Sequence, residues 1–118
     1  MITPLRWCAR IAGLLAFVIG MMLGRAAMPA LFHLHMTLGG LTVVSLLIVS
    51  LLSMGKVPAG KVAAGILWAA FTIMLAVRQT VLMTGSYHWM IEALHALLGI
   101  GSIGMTEMLA AARARAGK

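Results

Sequence analysis

Four long apolar runs, separated by short connections, dominate this sequence of 118 residues. Hydrophobic residues make up 63% of the chain and charged residues only 9%, which is too few charges to cover a water-soluble domain of this size. Apolar stretches of about 18–20 residues are typical of transmembrane helices. We therefore predict an all-α integral membrane protein with a single transmembrane domain, residues 1–118. Its helices are expected at about residues 8–24, 31–54, 62–83 and 88–111.

The connections between these runs are short and contain residues that end helices. The first contains Pro29, the second is "GKVPAGK" around Pro58, and the third is "TGSYH". Short connections make neighbouring helices antiparallel, so we expect an up-down four-helix bundle. The first run also resembles a secretory signal peptide, with Arg6 and Arg10 before an apolar stretch and small residues after it. We expect it to remain as a helix.

The charged residues indicate an orientation. The chain has nine Lys and Arg residues and two acids, and most of the bases flank the apolar runs, which favours membrane topology over nucleic-acid binding. Basic flanks stay in the cytoplasm, so both termini are predicted to be cytoplasmic, in a bacterial inner membrane. Membrane lipid is then an obligatory partner. The bases on the predicted cytoplasmic side are Arg6, Arg10, Lys56, Lys61, Arg113, Arg115 and Lys118.

One short pattern occurs twice. The stretches "LHMTLGGLT" and "LHALLGIGS" both read Leu-His-x-x-Leu-Gly-x-x-Thr/Ser, and they place His35 in the second helix and His95 in the fourth. Both helices begin at the same predicted membrane surface. At 1.5 Å per residue, the two histidines lie roughly 6 and 10 Å deep. Ionisable residues inside a membrane span are rare and indicate function by default. We expect the two imidazoles to meet across the bundle.

A glycine follows each histidine by one helical turn. Gly39 comes four residues after His35, and Gly99 comes four residues after His95, nearly on the same helix face. A glycine leaves space beside the imidazole for a flat, bulky ligand such as a porphyrin. The bland alternative is that these glycines only let membrane helices approach each other closely.

A residue with a hydroxyl group follows each histidine and glycine on the same helix face. Thr42 and Ser102 lie seven residues after the two histidines, again on the same face. These hydroxyls could act as donors or acceptors within the core, or bond back to a carbonyl of their own helix.

The paired "LH…LG" helices resemble the small bacterial four-helix membrane cytochromes b of the b561-like type. The resemblance implies that His35 and His95 are the axial ligands of a b-type haem. Cytochromes of this type that bind two haems need histidine ligands at two depths in the membrane, whereas all four histidines here lie toward one surface. We therefore expect one haem at most. A purely structural histidine pair, another metal ion and a quinone remain alternatives.

Two arginines are candidates for holding haem propionates, because guanidinium groups bind carboxylates in a bidentate way. Arg78 is predicted inside the third helix, about 9 Å deep and level with the histidine pair. Its alternative partner is Glu92 on the next helix. Arg25 lies at the outer end of the first helix, where a residue that only reaches the membrane interface would also fit.

The remaining histidines give weaker candidates. His88 lies seven residues before His95 on the same face, where it could cap the site or join a zinc or copper ion as a ligand. His33 faces nearly the opposite direction from His35. A di-iron carboxylate site is excluded because it needs about four carboxylates, and a c-type haem is excluded by the lack of Cys-x-x-Cys-His.

These features predict an electron-transfer protein that exchanges electrons with a quinol, a periplasmic carrier or a larger membrane redox complex. The chain is then an electron carrier or subunit rather than a stand-alone enzyme. A quinone is a second candidate cofactor, and the chain could also form homo-oligomers. The alternative functions are a cofactor-free accessory subunit of a membrane complex and a membrane protein that handles copper or zinc.

Overall fold

The computed structural model describes residues 1–23 and 29–118, and all of the regular structure in these ranges is α-helical. Each of its four helices is long and apolar enough to cross a membrane. The prediction of an all-α four-helix protein is therefore confirmed. The helices are α1 (Ile2–Leu23), α2 (Pro29–Leu52), α3 (Ala59–Arg78) and α4 (His88–Ala116).

The helices at the two chain ends are longer than expected. α1 begins at Ile2 rather than near Cys8, because Pro4 falls in the first turn, where a missing N–H costs no hydrogen bond. α4 continues to Ala116, beyond its predicted end at about residue 111. Alanine and arginine are both strong helix formers, so this segment remains helical.

α3 is shorter than predicted and ends at Arg78 rather than near Met83. Residues 79–87 form turns and bends instead, with Met83 at φ 44° and Gly85 at φ 98°. A non-glycine residue at positive φ is uncommon and is found in turns. The apolar residues after Arg78 therefore belong to the connection to α4.

The bundle is flattened, with dimensions of 50 × 24 × 15 Å. α2 and α4 lie in the centre and contact each other, while α1 and α3 flank this pair on opposite sides. Within the described residues, α1 and α3 do not contact each other. We call the end that holds the chain termini and the α2–α3 connection the termini end. The opposite end, which holds the α3–α4 connection, is the histidine end.

The main apolar core lies between the middle of the bundle and the termini end, and small residues allow its helices to approach closely. A Cβ on Gly65 would lie 2.8 Å from Leu109 Cδ1, and a Cβ on Gly101 would overlap the ring of Trp68. The Trp68 indole N–H donates to the Leu98 carbonyl at 3.0 Å, which joins α3 to α4. The buried members of this core are Val43, Leu46, Val49, Val57, Val62, Ala69, Leu109 and Ala112.

The histidine end is packed much less closely. Between residues 29 and 41, all of which the structure describes, α2 contains no buried residue, and its first buried side chain is Thr42. The small apolar cluster at this end joins α3 to α4 only, through Leu75, Ile91 and Leu98. Large apolar side chains of α2 such as Phe32 and Leu34 are about half exposed, as expected for surfaces that contact lipid.

Candidate functional site: a histidine pair between three helices

The structure brings the two repeated histidines together. The ring centroids of His35 and His95 are 6.0 Å apart, and the ring planes make an angle of 64°. His35 is on α2 and His95 is on α4, and both side chains are half-buried. The approach expected from helix order and depth is therefore found, although the two residues are 60 positions apart in sequence.

A third helix fixes the His35 ring. The distance from His35 Nδ1 to the Ala16 carbonyl oxygen of α1 is 2.7 Å. A carbonyl only accepts hydrogen bonds, so His35 Nδ1 carries the proton and donates. In a neutral imidazole the lone pair is then on Nε2. Gly20, one turn further along α1, lies against the same ring, because a Cβ there would be 2.9 Å from His35 Cε1.

The His95 ring has an unsatisfied polar atom. Its Nδ1 is buried, and no hydrogen-bond partner for it lies within the described part of the chain. A buried polar atom without a partner costs about 1–3 kcal/mol. Native proteins rarely leave such an atom unpaired unless the site has a further role or ligand. The His95 ring therefore lacks a hydrogen bond like the one that fixes His35.

The space beside the two predicted glycines is open. A Cβ added at either Gly39 or Gly99 would have no atom within 4 Å outside its local helix. Both glycines are half-buried. They are therefore not close-packing glycines, in contrast to Gly65 and Gly101, whose place a neighbouring side chain occupies. Gly40 and Gly104 are equally free of neighbouring atoms, so the open space is not specific to the two glycines that follow the histidines.

The two hydroxyls bond within their own helices. Thr42 Oγ1 donates to the Leu38 carbonyl at 2.9 Å, and Ser102 Oγ donates to the Leu98 carbonyl at 2.9 Å. Both side chains are almost fully buried. Of the two roles that the sequence allowed, the structure has the bond to the helix's own carbonyl.

The two arginines are not shown to approach the pair. Arg78 is the last residue of α3 and is exposed, so the predicted position about six residues inside that helix is wrong. The cause is the early end of α3. Arg25 lies outside the described residues.

His88 is engaged elsewhere. Its Nδ1 is 3.2 Å from the Leu82 carbonyl oxygen, and its Nε2 is 3.8 Å from Glu92 Oε1. His33 is exposed, with its ring against Phe32. Within residues 1–23 and 29–118, no group of three or more His, Cys, Asp or Glu side chains is placed to hold a metal ion. The predicted addition of His88 to a metal site therefore has no support from the geometry.

Sequence reasoning missed an ionic cluster at the termini end. Glu107 Oε2 accepts from Arg6 Nη2 at 2.6 Å and from Arg6 Nε at 3.0 Å, while Glu107 Oε1 accepts from Arg10 Nε at 2.6 Å. The Arg10 guanidinium also lies 4.8 Å from the Trp7 ring centroid. The available signal was the spacing of two arginines four residues apart, opposite one of only two acids in the chain.

Sequence reasoning also missed the part that α1 has in the site. Ala16 and Gly20 are one turn apart, and both contact His35. A carbonyl acceptor leaves no signal in the side-chain sequence. The small residues at these positions were the only indication, and small residues are common in membrane helices.

Comparisons of the chain with protein-family models, with curated proteins and with solved structures found no match. Function is therefore inferred from the residues of the site itself.

Proposed function

We propose that the chain is a membrane electron-transfer protein that binds one b-type haem through His35 and His95. The observation that carries this proposal is the 6.0 Å between the two ring centroids. Two imidazoles this close on facing helices could both hold one haem, which would supply one-electron redox chemistry.

The surroundings of the pair support the same proposal. Histidines that bind metals usually donate their second ring N–H to a carbonyl or carboxylate, which fixes the tautomer and the ring orientation. His35 has this arrangement with the Ala16 carbonyl. His95 has a buried Nδ1 without a partner, and the space beside Gly39 and Gly99 is open. The residues present thus fit a flat ligand held between two imidazoles.

The chain's own part is to hold and shield the ligand. α1 keeps the His35 lone pair directed away from its carbonyl partner, and Gly20 gives the ring room to lie against that helix. A bound haem would supply one-electron redox chemistry, while axial ligation and burial tune its potential. The backbone-bonded hydroxyls of Thr42 and Ser102 are satisfied within their helices, so they need no partner from the ligand.

The setting of this function is a membrane. Four helices are long and apolar enough to span one. Seven of the nine bases lie near the termini end by their positions in the helices, which supports cytoplasmic termini and a bacterial inner membrane. The histidine pair would then lie toward the periplasmic surface. Electrons would be exchanged there with a quinol, a periplasmic carrier or a larger complex that contains this chain as a subunit.

The test is an absorption spectrum of the purified full-length chain with and without added haemin. We expect about one haem per chain and the spectrum of a low-spin, six-coordinate iron. The variants His35→Ala and His95→Ala should each lose this spectrum. His33→Ala is the matched control, because His33 is exposed and only two residues from His35, and this variant should retain it.

Two results would contradict the proposal. One is a colourless chain that binds no added haemin. The other is loss of the spectrum in His33→Ala to the same degree as in the two pair variants. Metal analysis of the same preparations tests the copper or zinc alternative, which predicts one equivalent of metal lost in His35→Ala. Co-purification with a complex that survives both pair substitutions would instead support a cofactor-free accessory subunit.

A further inference from the structure

A second candidate site lies at the termini end and is independent of the histidine pair. An open groove of about 560 Å³ runs beside the α2–α3 connection and the start of α3. Lys56 lies at its mouth, while Val62, Ala63 and Ile66 line it along α3. Ile66 is about 10 Å along the helix from Ala59, so the groove extends from a charged mouth into the apolar part of the bundle.

The charges around this groove have no acidic partner on the chain. The chain contains two acids. Glu107 is engaged by Arg6 and Arg10, and Glu92 is at the histidine end beside His88. Within the described residues, no carboxylate forms an ion pair with Lys56 or Lys61. Both lysines are exposed, so they are free to attract an anion from the surroundings.

Arg113 adds a second observation at the same end. Its Nη1 is buried and has no hydrogen-bond acceptor in the part of the chain that the structure describes. The neighbouring Ala112 belongs to the same apolar core as Val57 and Val62, two residues that line the groove. Arg113 does not itself line the groove, but it adds a positive charge to the same end of the bundle.

We propose that the groove binds one anionic phospholipid, with its phosphate at Lys56 and an acyl chain along Val62, Ala63 and Ile66. Basic pockets on the cytoplasmic side of membrane helices recognise anionic head groups in this way. The charge of Lys56 matches the phosphate of a phospholipid, and the apolar lining matches an acyl chain. This proposal requires that the helices span a membrane, but it does not require haem at the histidine pair.

The test is a lipid titration of the purified full-length chain in detergent, followed by native mass spectrometry. Phosphatidylglycerol and phosphatidylcholine with identical acyl chains are compared. We expect one phosphatidylglycerol to bind at least about fivefold more tightly than phosphatidylcholine, the factor expected from one nearby base. Lys56→Gln should remove most of this preference.

Two further variants distinguish binding in the groove from nonspecific attraction of the lipid to positive charge. Arg115→Gln removes the same charge at the same end but does not line the groove, so it should keep the preference. Ala63→Leu narrows the groove and leaves every charge in place. It should weaken binding of both lipids about equally, because it acts on the acyl chain.

Three results would overturn the proposal. They are equal binding of the two lipids by the unmodified chain, an equal loss of preference in Arg115→Gln and Lys56→Gln, and displacement of bound phosphatidylglycerol by millimolar inorganic phosphate. The last result would show an anion site that does not use the acyl chain. None of these measurements depends on haem, so they fail or succeed separately from the function proposed above.

Discussion

The two ends of this bundle are built in opposite ways. At the termini end, glycines and buried aliphatic side chains bring the helices close together, and Glu107 links α4 to two arginines of α1. At the histidine end, residues 29–41 of α2 bury no side chain, and the space beside Gly39 and Gly99 is open. One end therefore holds the helices together through close packing, while the other end is loosely packed. Binding sites are commonly drawn from the less stable parts of a structure.

The largest effect is expected from truncating a core leucine. Leu109 is fully buried at the termini end, and Leu109→Ala should lower the free energy of unfolding by about 3 kcal/mol through the cavity that it leaves. Leu34→Ala, at the histidine end, removes a side chain that is 46% exposed and should cost less than about 0.5 kcal/mol. Unfolding in mixed micelles with increasing SDS measures both. Equal losses of unfolding free energy in the two variants would contradict the difference in packing between the two ends.

The next effect concerns the two acids. Glu107→Gln leaves Arg6 and Arg10 without their carboxylate and should cost about 2 kcal/mol, between the values for exposed and buried pairs, because these side chains are about one-third exposed. Glu92→Gln is the matched change at the other end. Its carboxylate is 58% exposed and 3.8 Å from His88, so the cost should be near zero. The same SDS titration compares the two variants, and a larger loss in Glu92→Gln would be evidence against the assigned roles.

A pair of glycine substitutions tests the openness of the histidine end. Gly20→Ala pushes a Cβ against the His35 ring and should cost about 1 kcal/mol, since the hydrogen bond to Ala16 is displaced. Gly39→Ala meets no atom and should stabilise the ligand-free chain by about 0.5 kcal/mol, because alanine favours helix over glycine. Unfolding experiments measure both stabilities.

Haemin titration of Gly39→Ala tests whether a ligand uses the open space beside this glycine. If Gly39 leaves room for a ligand, Gly39→Ala should bind haemin more weakly while its ligand-free stability is unchanged or higher. Unchanged haemin affinity in Gly39→Ala would show that the open space beside this glycine is not used.

The smallest effect is expected at the buried hydroxyls. Thr42→Val and Ser102→Ala remove bonds to carbonyls of their own helices, and these bonds add little to helix stability. Each substitution should change the unfolding free energy by less than about 0.5 kcal/mol. It should also leave the haem spectrum unshifted. A clear shift of the haem spectrum in either variant would show that its hydroxyl contacts the ligand.

Much of the fold followed from the sequence because apolar run length and helix order are strong signals. The same two signals placed His35 and His95 at one level, and the structure brings their rings together. The end of α3 was mispredicted because Val81, Leu82 and Met83 are apolar, and hydropathy does not distinguish a membrane helix from an apolar turn. The turn depends on the backbone conformations of Met83 and Gly85.

The surroundings of the pair were harder to predict. The partner of His35 Nδ1 is a backbone carbonyl. Every residue has such a carbonyl, so the sequence does not indicate which one accepts the hydrogen bond. The lateral arrangement of the helices, with α1 and α3 on opposite sides of α2 and α4, also leaves no signal in the sequence. Hydropathy gives the depth of a residue but not its position around the bundle.

The placement of the two histidines on α2 and α4 has a consequence for biosynthesis. A ribosome delivers the helices in order, so a nascent chain with three helices already has His35 held by α1 but has no second imidazole. The pair is completed only when α4 inserts beside α2. Loading of any ligand that needs both rings is therefore a late event, and it reports that the whole bundle has assembled.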